Sequence, residues 1–568
     1  MPKLILQPIG EALNYEDPLY KKNIEFIQKK EQELISYRKN IHDGWGYEYQ
    51  QRVKNKKKLT AHERIYALVD DANEILYFNT FTNFGYEFSE DKKTSPNAGV
   101  ISALAKVNNR WVVIIANDNT VASGSWWPNT PQKIIRAQEF ALKTGIAVVY
   151  LVDCSGLFLP KQADAYPGKY GAGHIFKMNS LLSQRGIPQI AGVCGDCIAG
   201  GGYMPIISDK VFMTNQAYMV IAGAALISQA KSQNISSHDI GGSHVHVNIS
   251  NCADEQVIDD EAMISRIKEE VNKLPQSANC YYRGNFFASL PKYSVDELDG
   301  LLPFSPKESY EIEQVIARLV DDSLFYEYEK EQGKEVICGL AKISGLWVGI
   351  LANNQKLFEH PYDKSKKRPG GILYKEGVQK LSRFSRILND DGIPMIWLQD
   401  VSGFDVGLEA EKQGLLSYGS NLIHGISNYS APMITILLRK ASGAGYYAMA
   451  GMPYEPLLQI ATPISRLAVM EGQTLAAGAY HTKLDDAGNI MAANQEEYDK
   501  IAQGMKNIID TIEKDMNPYK AAAQMDIDEI VMPKELRKYL VAFSEICYQT
   551  ISFRNIKNPR IWSIFDHI

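Results

Sequence analysis

Ala199-Gly200-Gly201-Gly202-Tyr203 and Gly443-Ala444-Gly445-Tyr446-Tyr447 are one small-residue run met twice, and around them the chain matches itself. Working outward, Pro188 pairs with Pro432, Cys154-Ser155-Gly156 with Val401-Ser402-Gly403, and Gly145-Ile146-Ala147 with Gly392-Ile393-Pro394. Further out, Ala116-Asn117 recurs as Ala352-Asn353, Trp111 as Trp347, and Ala105-Lys106-Val107 as Ala341-Lys342-Ile343. The order is kept, and the offset moves only between 236 (Asn117 to Asn353) and 247 (Gly145 to Gly392). Two homologous halves imply two similar sites, and two sites suit a reaction that passes a group between two carriers.

The local pattern around each run is that of βαβ units. Val148-Val149-Tyr150-Leu151-Val152 and Met395-Ile396-Trp397-Leu398 are continuous apolar strand formers, with helical stretches before them over 131–144 and 376–390. Pro188 and Pro432 each stand at the start of a further apolar run, where a missing N–H is tolerated. Strands alternating with helices predict a largely parallel sheet in each half. Residues 1–58 read as a charged helical segment broken at Gly44-Trp45-Gly46, residues 59–300 as the first domain and 301–568 as the second. The prolines between 275 and 308 mark the connection.

A chain of 568 residues exceeds what one core supports, so two domains are expected on length as well. The net charge of −6 excludes a nucleic-acid footprint, which needs a basic stripe. The run Lys54 to Lys58 reads as a solvated face. No stretch approaches the ~18 apolar residues of a membrane helix, and no signal peptide is visible, so a cytoplasmic location is expected. Seven cysteines, an odd number, suit a reducing compartment. Cys194-Gly-Asp-Cys197 lacks the second pair a zinc site needs and reads as packing.

A strand that runs into glycines and then a helix leaves N–H groups unsatisfied at the positive end of that helix. Small residues let an oxygen approach them. This is the chemistry of an oxyanion hole, where one donor contributes roughly 3–4 kcal/mol in the transition state. Gly200 and Gly201 are the candidates in the first half, and Gly443, Ala444 and Gly445 in the second. A packing role alone would explain one such turn; two at matching places favour function. Neither turn carries a phosphate-loop or dinucleotide pattern. His174, His244, His246, His424 and His481 are dispersed. On a strand, His244 and His246 would share one face and could hold a metal, but no third ligand is apparent, so no metal site is assigned. Backbone donors without acid–base side chains suit decarboxylation to an enolate, or its reverse.

These residues resemble a known family. Lys58-Leu59-Thr60-Ala61-His62-Glu63-Arg64-Ile65, the turn Ala199 to Pro205, the stretch Asp239 to His246 with Ala253-Asp254, the run Arg439 to Tyr446 and the tail Asp528 to Pro533 look like the carboxyltransferase subunits of biotin-dependent acyl-CoA carboxylases and decarboxylases. Leu398 to Gly407 with Glu409 to Lys412, Asp153 to Gly156, and Val315 to Leu319 with Gly339 to Lys342 resemble most the α subunits of glutaconyl-CoA decarboxylases.

The resemblance implies two crotonase-like α/β domains in tandem behind an N-terminal helical segment. It implies that Gly200 and Gly201 hold the thioester oxygen of an acyl-CoA, with Ser155, Gly156, Gly202 and Tyr203 on the acyl-CoA side. Ala444 and Gly445 would hold the ureido oxygen of biotin, with Gly403, Phe404, Gly443 and Tyr446 on the biotin side. No Met-Lys-Met attachment site is present, so biotin is expected on a separate carrier protein. A homodimer or larger homo-oligomer is implied, with a membrane sodium-pumping subunit or a biotin carboxylase subunit as further partner. The main expectation is therefore a glutaconyl-CoA-type decarboxylase carboxyltransferase. The alternatives are a carboxylase β subunit acting on propionyl-, methylcrotonyl- or acetyl-CoA, and a non-catalytic acyl-CoA-binding scaffold of the same fold.

Overall fold

The computed structural model describes residues 5–88, 93–223, 236–274, 287–306, 308–485 and 487–550. Residues 275–286 of the expected connection lie outside them. Each half is built on four adjacent strands. In the first half these are β1 (Val100–Val107), β2 (Arg110–Asn117), β3 (Val148–Cys154) and β4 (Gln189–Ile198); in the second, β5 (Val336–Ile343), β6 (Leu346–Asn353), β7 (Met395–Val401) and β8 (Met433–Ser442). The first pair of each set is antiparallel and the next two pairings are parallel. Outer strands complete an eight-stranded and a nine-stranded sheet.

The registers reproduce the sequence repeat. Val113 faces Val148 and Val148 faces Gln189 in the first sheet; Gly349 faces Met395 and Met395 faces Met433 in the second. Helices Thr130–Thr144 and Lys375–Asp391 are the crossovers between β2 and β3 and between β6 and β7. Each ends on a left-handed glycine, Gly145 (φ 74°) or Gly392 (φ 64°), that turns the chain back into the sheet. Apolar side chains cover both faces of the strands, as parallel sheets require.

The widening of the offset has a local cause. Between β6 and the helix Lys375–Asp391 the second half carries a hairpin, Leu357–His360 with Asp363–Pro369, that the first half lacks. Its second strand holds Lys364, Lys366, Lys367 and Arg368, a second dense basic cluster that the reading of Lys54 to Lys58 overlooks.

Helices Pro18–His42 and Tyr47–Asn55 form the N-terminal segment, broken by Gly44 (φ 59°) and Gly46 (φ 91°) as expected. Ahead of them Gln7–Pro8 pairs with Leu324 and Phe325 at the edge of the second sheet. At the other end, helix Leu536–Gln549 fastens both halves through the repeated tryptophans. Gln549 exchanges hydrogen bonds with the Trp111 backbone (2.8 and 3.0 Å), and the Tyr548 hydroxyl donates to the Trp347 carbonyl (2.7 Å). Arg136 of the first half reaches Asp528 of the second at 2.7 Å.

Candidate functional site

Both small-residue runs occupy the same place in their sheets. β4 ends at Ile198, Ala199 takes a left-handed conformation (φ 54°), and the chain passes through Ala199–Gly202 into the helix Tyr203–Ile207. β8 ends at Ser442, Gly443 takes the same conformation (φ 56°), and the helix Gly443–Ala448 follows. A left-handed residue costs an alanine about 1–2 kcal/mol that a glycine avoids, so the first turn is held in place by its surroundings.

What holds each turn is the strand beside it. A Cβ on Gly201 would stand 3.2 Å from the Cβ and Sγ of Cys154; one on Gly445 would stand 2.8 Å from Cγ2 of Val401 and 3.0 Å from Cα of Gly403. Cys154 and Val401 are the matching last residues of β3 and β7. The missing side chains therefore face the protein, and the glycines let each turn press onto the neighbouring strand end. Gly202 has open space above it, and Ala444 is exposed. The first N–H groups of each helix have no carbonyl one turn earlier to take them.

The strand ends share a second device, which sequence reasoning missed. The β3–β4 pairing jumps from Val152↔Val193 to Cys154↔Cys197, and the β7–β8 pairing from Gln399↔Leu437 to Val401↔Ala441. Asp153 and Asp400 sit in these two bulges, both buried. Asp153 accepts the Asp196 N–H (3.2 Å), and Asp400 accepts the Lys440 N–H (3.0 Å). Each carboxylate thus holds the strand that leads into its turn. Their counter-ions differ. Asp153 binds Arg64 (3.0 Å) and Lys58 (3.2 Å), while Asp400 binds Arg439 (2.7 Å). Burial alone would raise the Asp153 carboxyl, but Arg64, Lys58 and the Asn119 amide hold it below the usual carboxylate range. The Lys58 side chain is consequently buried, while Lys54, Lys56 and Lys57 are exposed as a solvated run should be: left-handed Lys57 (φ 56°) turns the chain inward.

The other candidates divide between the turns and their supports. Ser155 lies beside the first turn, its hydroxyl 2.8 Å from that of Ser125, and Gly156 (φ 96°) accepts the Trp126 N–H. Tyr203 is exposed and packs on Phe176. Gly403 (φ 130°) lies against Gly445, and Phe404 packs on Gly419. Tyr446 lies under the second turn: it is buried, and its hydroxyl accepts from Met452 N–H (2.9 Å) and the Gln459 amide (3.0 Å).

His244 and His246 do not lie on a strand. They fall in the short helix Ser243–Asn248, where residues two apart point apart, and their rings have different partners: His246 meets the Met219 carbonyl (2.7 Å) and Ser250, and His244 meets Asn248. No group of three His, Cys, Asp or Glu able to hold a metal occurs among the described residues. His174 is half-buried, and His424 and His481 are exposed. Cys194 and Cys197 are buried, and burial pushes both thiols up, as it pushes Cys154 up to about 12, so they stay unreactive and pack.

Comparison with known proteins agrees with this architecture. The carboxyl transferase domain family matches residues 52–561. The mitochondrial methylcrotonoyl-CoA carboxylase β chain of Arabidopsis thaliana is 32% identical over 514 residues, which cover 89% of this chain and 84% of that one. The glutaconyl-CoA decarboxylase α subunit of Acidaminococcus fermentans is 30% identical over 567 residues, 95% of this chain and 93% of that one. The solved β subunit of P. aeruginosa geranyl-CoA carboxylase shares the fold, with a TM-score of 0.82 at 24% identity over 97% of this chain and 98% of its own. With two crotonase-like α/β halves in tandem and a family match that spans nearly the whole length, the chain belongs to the carboxyl transferase domain family.

Proposed function

We propose that the protein is the carboxyltransferase subunit of a biotin-dependent acyl-CoA carboxylase, moving a carboxyl group between biotin on a separate carrier and a 2-enoyl-CoA. The observation that carries this reading is the pair of matched turns, each pressed onto a strand end and each opening unsatisfied N–H groups. In the first, the N–H groups of Gly200 and Gly201 would take the thioester oxygen, on which charge develops as the carboxylate departs. In the second, those of Ala444 and Gly445 would take the ureido oxygen; at Gly445 no Cβ keeps the turn off its strand, and Ala444 offers a small exposed surface that a flat ring can approach. Biotin, when bound, supplies the nitrogen that carries the carboxyl group. The chain's contribution is to fix donors where charge forms, without reorganisation during the reaction.

Three of the relatives support this substrate class. Methylcrotonoyl-CoA, geranyl-CoA and glutaconyl-CoA are all α,β-unsaturated thioesters, and charge left on any of them spreads to the thioester oxygen. Three methylcrotonoyl-CoA carboxylase β chains at 31–32% identity, against 30% for the decarboxylase, favour a carboxylase β subunit over the decarboxylase expected from sequence. Decarboxylase chemistry remains the second reading, since that relative covers 95% of the chain.

The working unit would be a homo-oligomer. Leu159 and Ile221 beside the first turn, and Val406 and Val469 beside the second, occupy matching positions and are all exposed. Matched apolar residues around both turns are what a two-fold contact between two copies would cover, with the first turn of each copy meeting the second turn of the other. A biotin carrier and a biotin carboxylase subunit would be the further partners. No described helix is long and apolar enough to cross a membrane.

The test is free-biotin-dependent CO₂ release from 3-methylglutaconyl-CoA and glutaconyl-CoA. The reading expects release from the first to exceed that from the second. The reverse order returns the decarboxylase reading, and release from neither rejects both.

A further inference from the structure

The strands that lead into the two turns carry opposite charges at one matched position. Position 196 in the first half and position 440 in the second are equivalent, since each donates its N–H to the buried aspartate of its bulge. The first carries an acid and the second a base. Asp196 is neutralised, with its carboxylate 3.7 Å from the Lys58 ammonium. Lys440 is not. Its ammonium donates to the Ser402 hydroxyl at 2.6 Å, a neutral partner, and it has no carboxylate within ion-pair distance among the described residues.

The acids whose charge reaches Lys440 are committed elsewhere: Asp400 to Arg439 at 2.7 Å, and Glu471 to Arg466 at 3.7 Å. Ser402, its anchor, is exposed and precedes Gly403, whose Cα lies against Gly445. The ammonium is thus fixed at one end, two of its three hydrogens have no carboxylate to meet, and it stands where the second turn begins. Burial, together with Arg439 and Arg466, lowers the Lys440 pKa.

A cation kept this way, partly buried and uncompensated, is unfavourable unless an anion completes it. The backbone turns account for the two carbonyl oxygens of the reaction and leave the transferred carboxylate without a partner. We propose that Lys440, positioned by Ser402, binds the carboxylate in transit, and so selects the carboxylated over the uncarboxylated form of the acyl-CoA. This rests on the function proposed above. It assigns to a side chain the one charge in the reaction that the two turns do not meet, and it explains why the matched position in the first half carries no free cation.

The test is calorimetric binding of 3-methylglutaconyl-CoA and 3-methylcrotonyl-CoA to the full-length oligomer, without biotin. Lys440→Met should weaken the carboxylated thioester by roughly 10–100-fold, the size of a lost charged hydrogen bond, and change the uncarboxylated one by less than about twofold. Lys440→Arg should keep most of the discrimination, and Ser402→Ala should lose about threefold of it, since the cation remains but is no longer fixed. An unchanged ratio in Lys440→Met, or an equal loss of both thioesters, overturns the proposal while leaving the function standing. Wild-type protein that binds neither thioester overturns the function, and this assignment with it. If Lys440→Met fails to assemble, the arginine and serine variants decide in the same way.

Discussion

The first and second turns share a backbone and differ in what surrounds it. Both leave a strand through one left-handed residue, both rest on the end of the neighbouring strand, and both are braced by an aspartate buried in a bulge. The side chains diverge. Ala199 stands where Gly443 does, Gly195 where Arg439 does, and Asp196 where Lys440 does. The first half brings its counter-charges from far away, with Arg64 and Lys58 reaching in from the N-terminal side. The second half carries them on the strand itself. The lesson is that the shared turn resides in strand register and backbone geometry, and that what distinguishes the two turns resides in the charges at their borders.

The comparison can be broken first at the bulges. Asp400→Asn leaves the buried Arg439 without its carboxylate, holding only the carbonyls of Ser305 and Glu308, and should cost roughly 3–5 kcal/mol of stability in chemical denaturation. Asp153→Asn leaves Arg64 its second carboxylate, Asp260 (2.9 Å), and Lys58 its second, Asp196 (3.7 Å), and should cost less. Equal losses would show that the two braces do not differ in kind.

Next come the turns themselves. Gly201→Ala and Gly445→Ala add a Cβ that meets Cys154 or Val401 and Gly403, so the turn must lift from its strand and carry its donors with it. Turnover should fall by about 10²–10³, as for a lost oxyanion donor. Gly201→Ala should act on the acyl-CoA side and Gly445→Ala should raise the biotin requirement. Gly202→Ala, with open space above it, should leave stability nearly unchanged.

A smaller effect probes the seam between the halves. Burial pushes Glu529, which accepts the Thr80 N–H, up to about 7, above the 4.5 of an exposed glutamate. The folded protein then binds the proton more tightly than the unfolded chain. Stability must therefore fall as pH rises from about 4.5 to about 7 and stay lower above it. Glu529→Gln should recover up to ~2–3 kcal/mol at pH 8 and little at pH 5, read as a Tm difference that grows with pH. A Tm difference independent of pH would remove the assignment.

The smallest effects belong to the histidines. His174, His244, His246, His424 and His481, changed singly to neutral residues, should each cost less than the ~10²–10⁴ of a general acid or base. One histidine variant that abolishes turnover with assembly intact would give the chemistry to a side chain.

Much of this was legible in the sequence because the repeat is a property of strands and turns. The apolar runs at 148 and 395, the helices before them and the two small-residue turns all lie where pattern and proline placed them. The remainder depended on tertiary register. Asp153 and Asp400 recur at the repeat's own offset, an acid repeated inside an apolar strand, but only the bulge shows what they brace. Lys58 reads as one more exposed lysine until the chain turns it onto Asp153. His244 and His246 were misread because a two-residue spacing means one face only on a strand, and the glycines before them permit a helical turn instead. The hairpin at 357–369 shows in the sequence both as a change of offset and as the basic run Lys364 to Arg368, but its strand pairing does not.

The central claim is that the first turn of one copy works with the second turn of another, and mixing tests it directly. Gly201→Ala protein and Gly445→Ala protein, each nearly inactive, are combined under conditions in which subunit exchange is demonstrated by mass. Half the resulting dimers should be mixed, and each mixed dimer should keep one intact site of two, so roughly a quarter of wild-type turnover should return. Exchange without recovery would contradict the account, because it would place both turns of each site within a single chain.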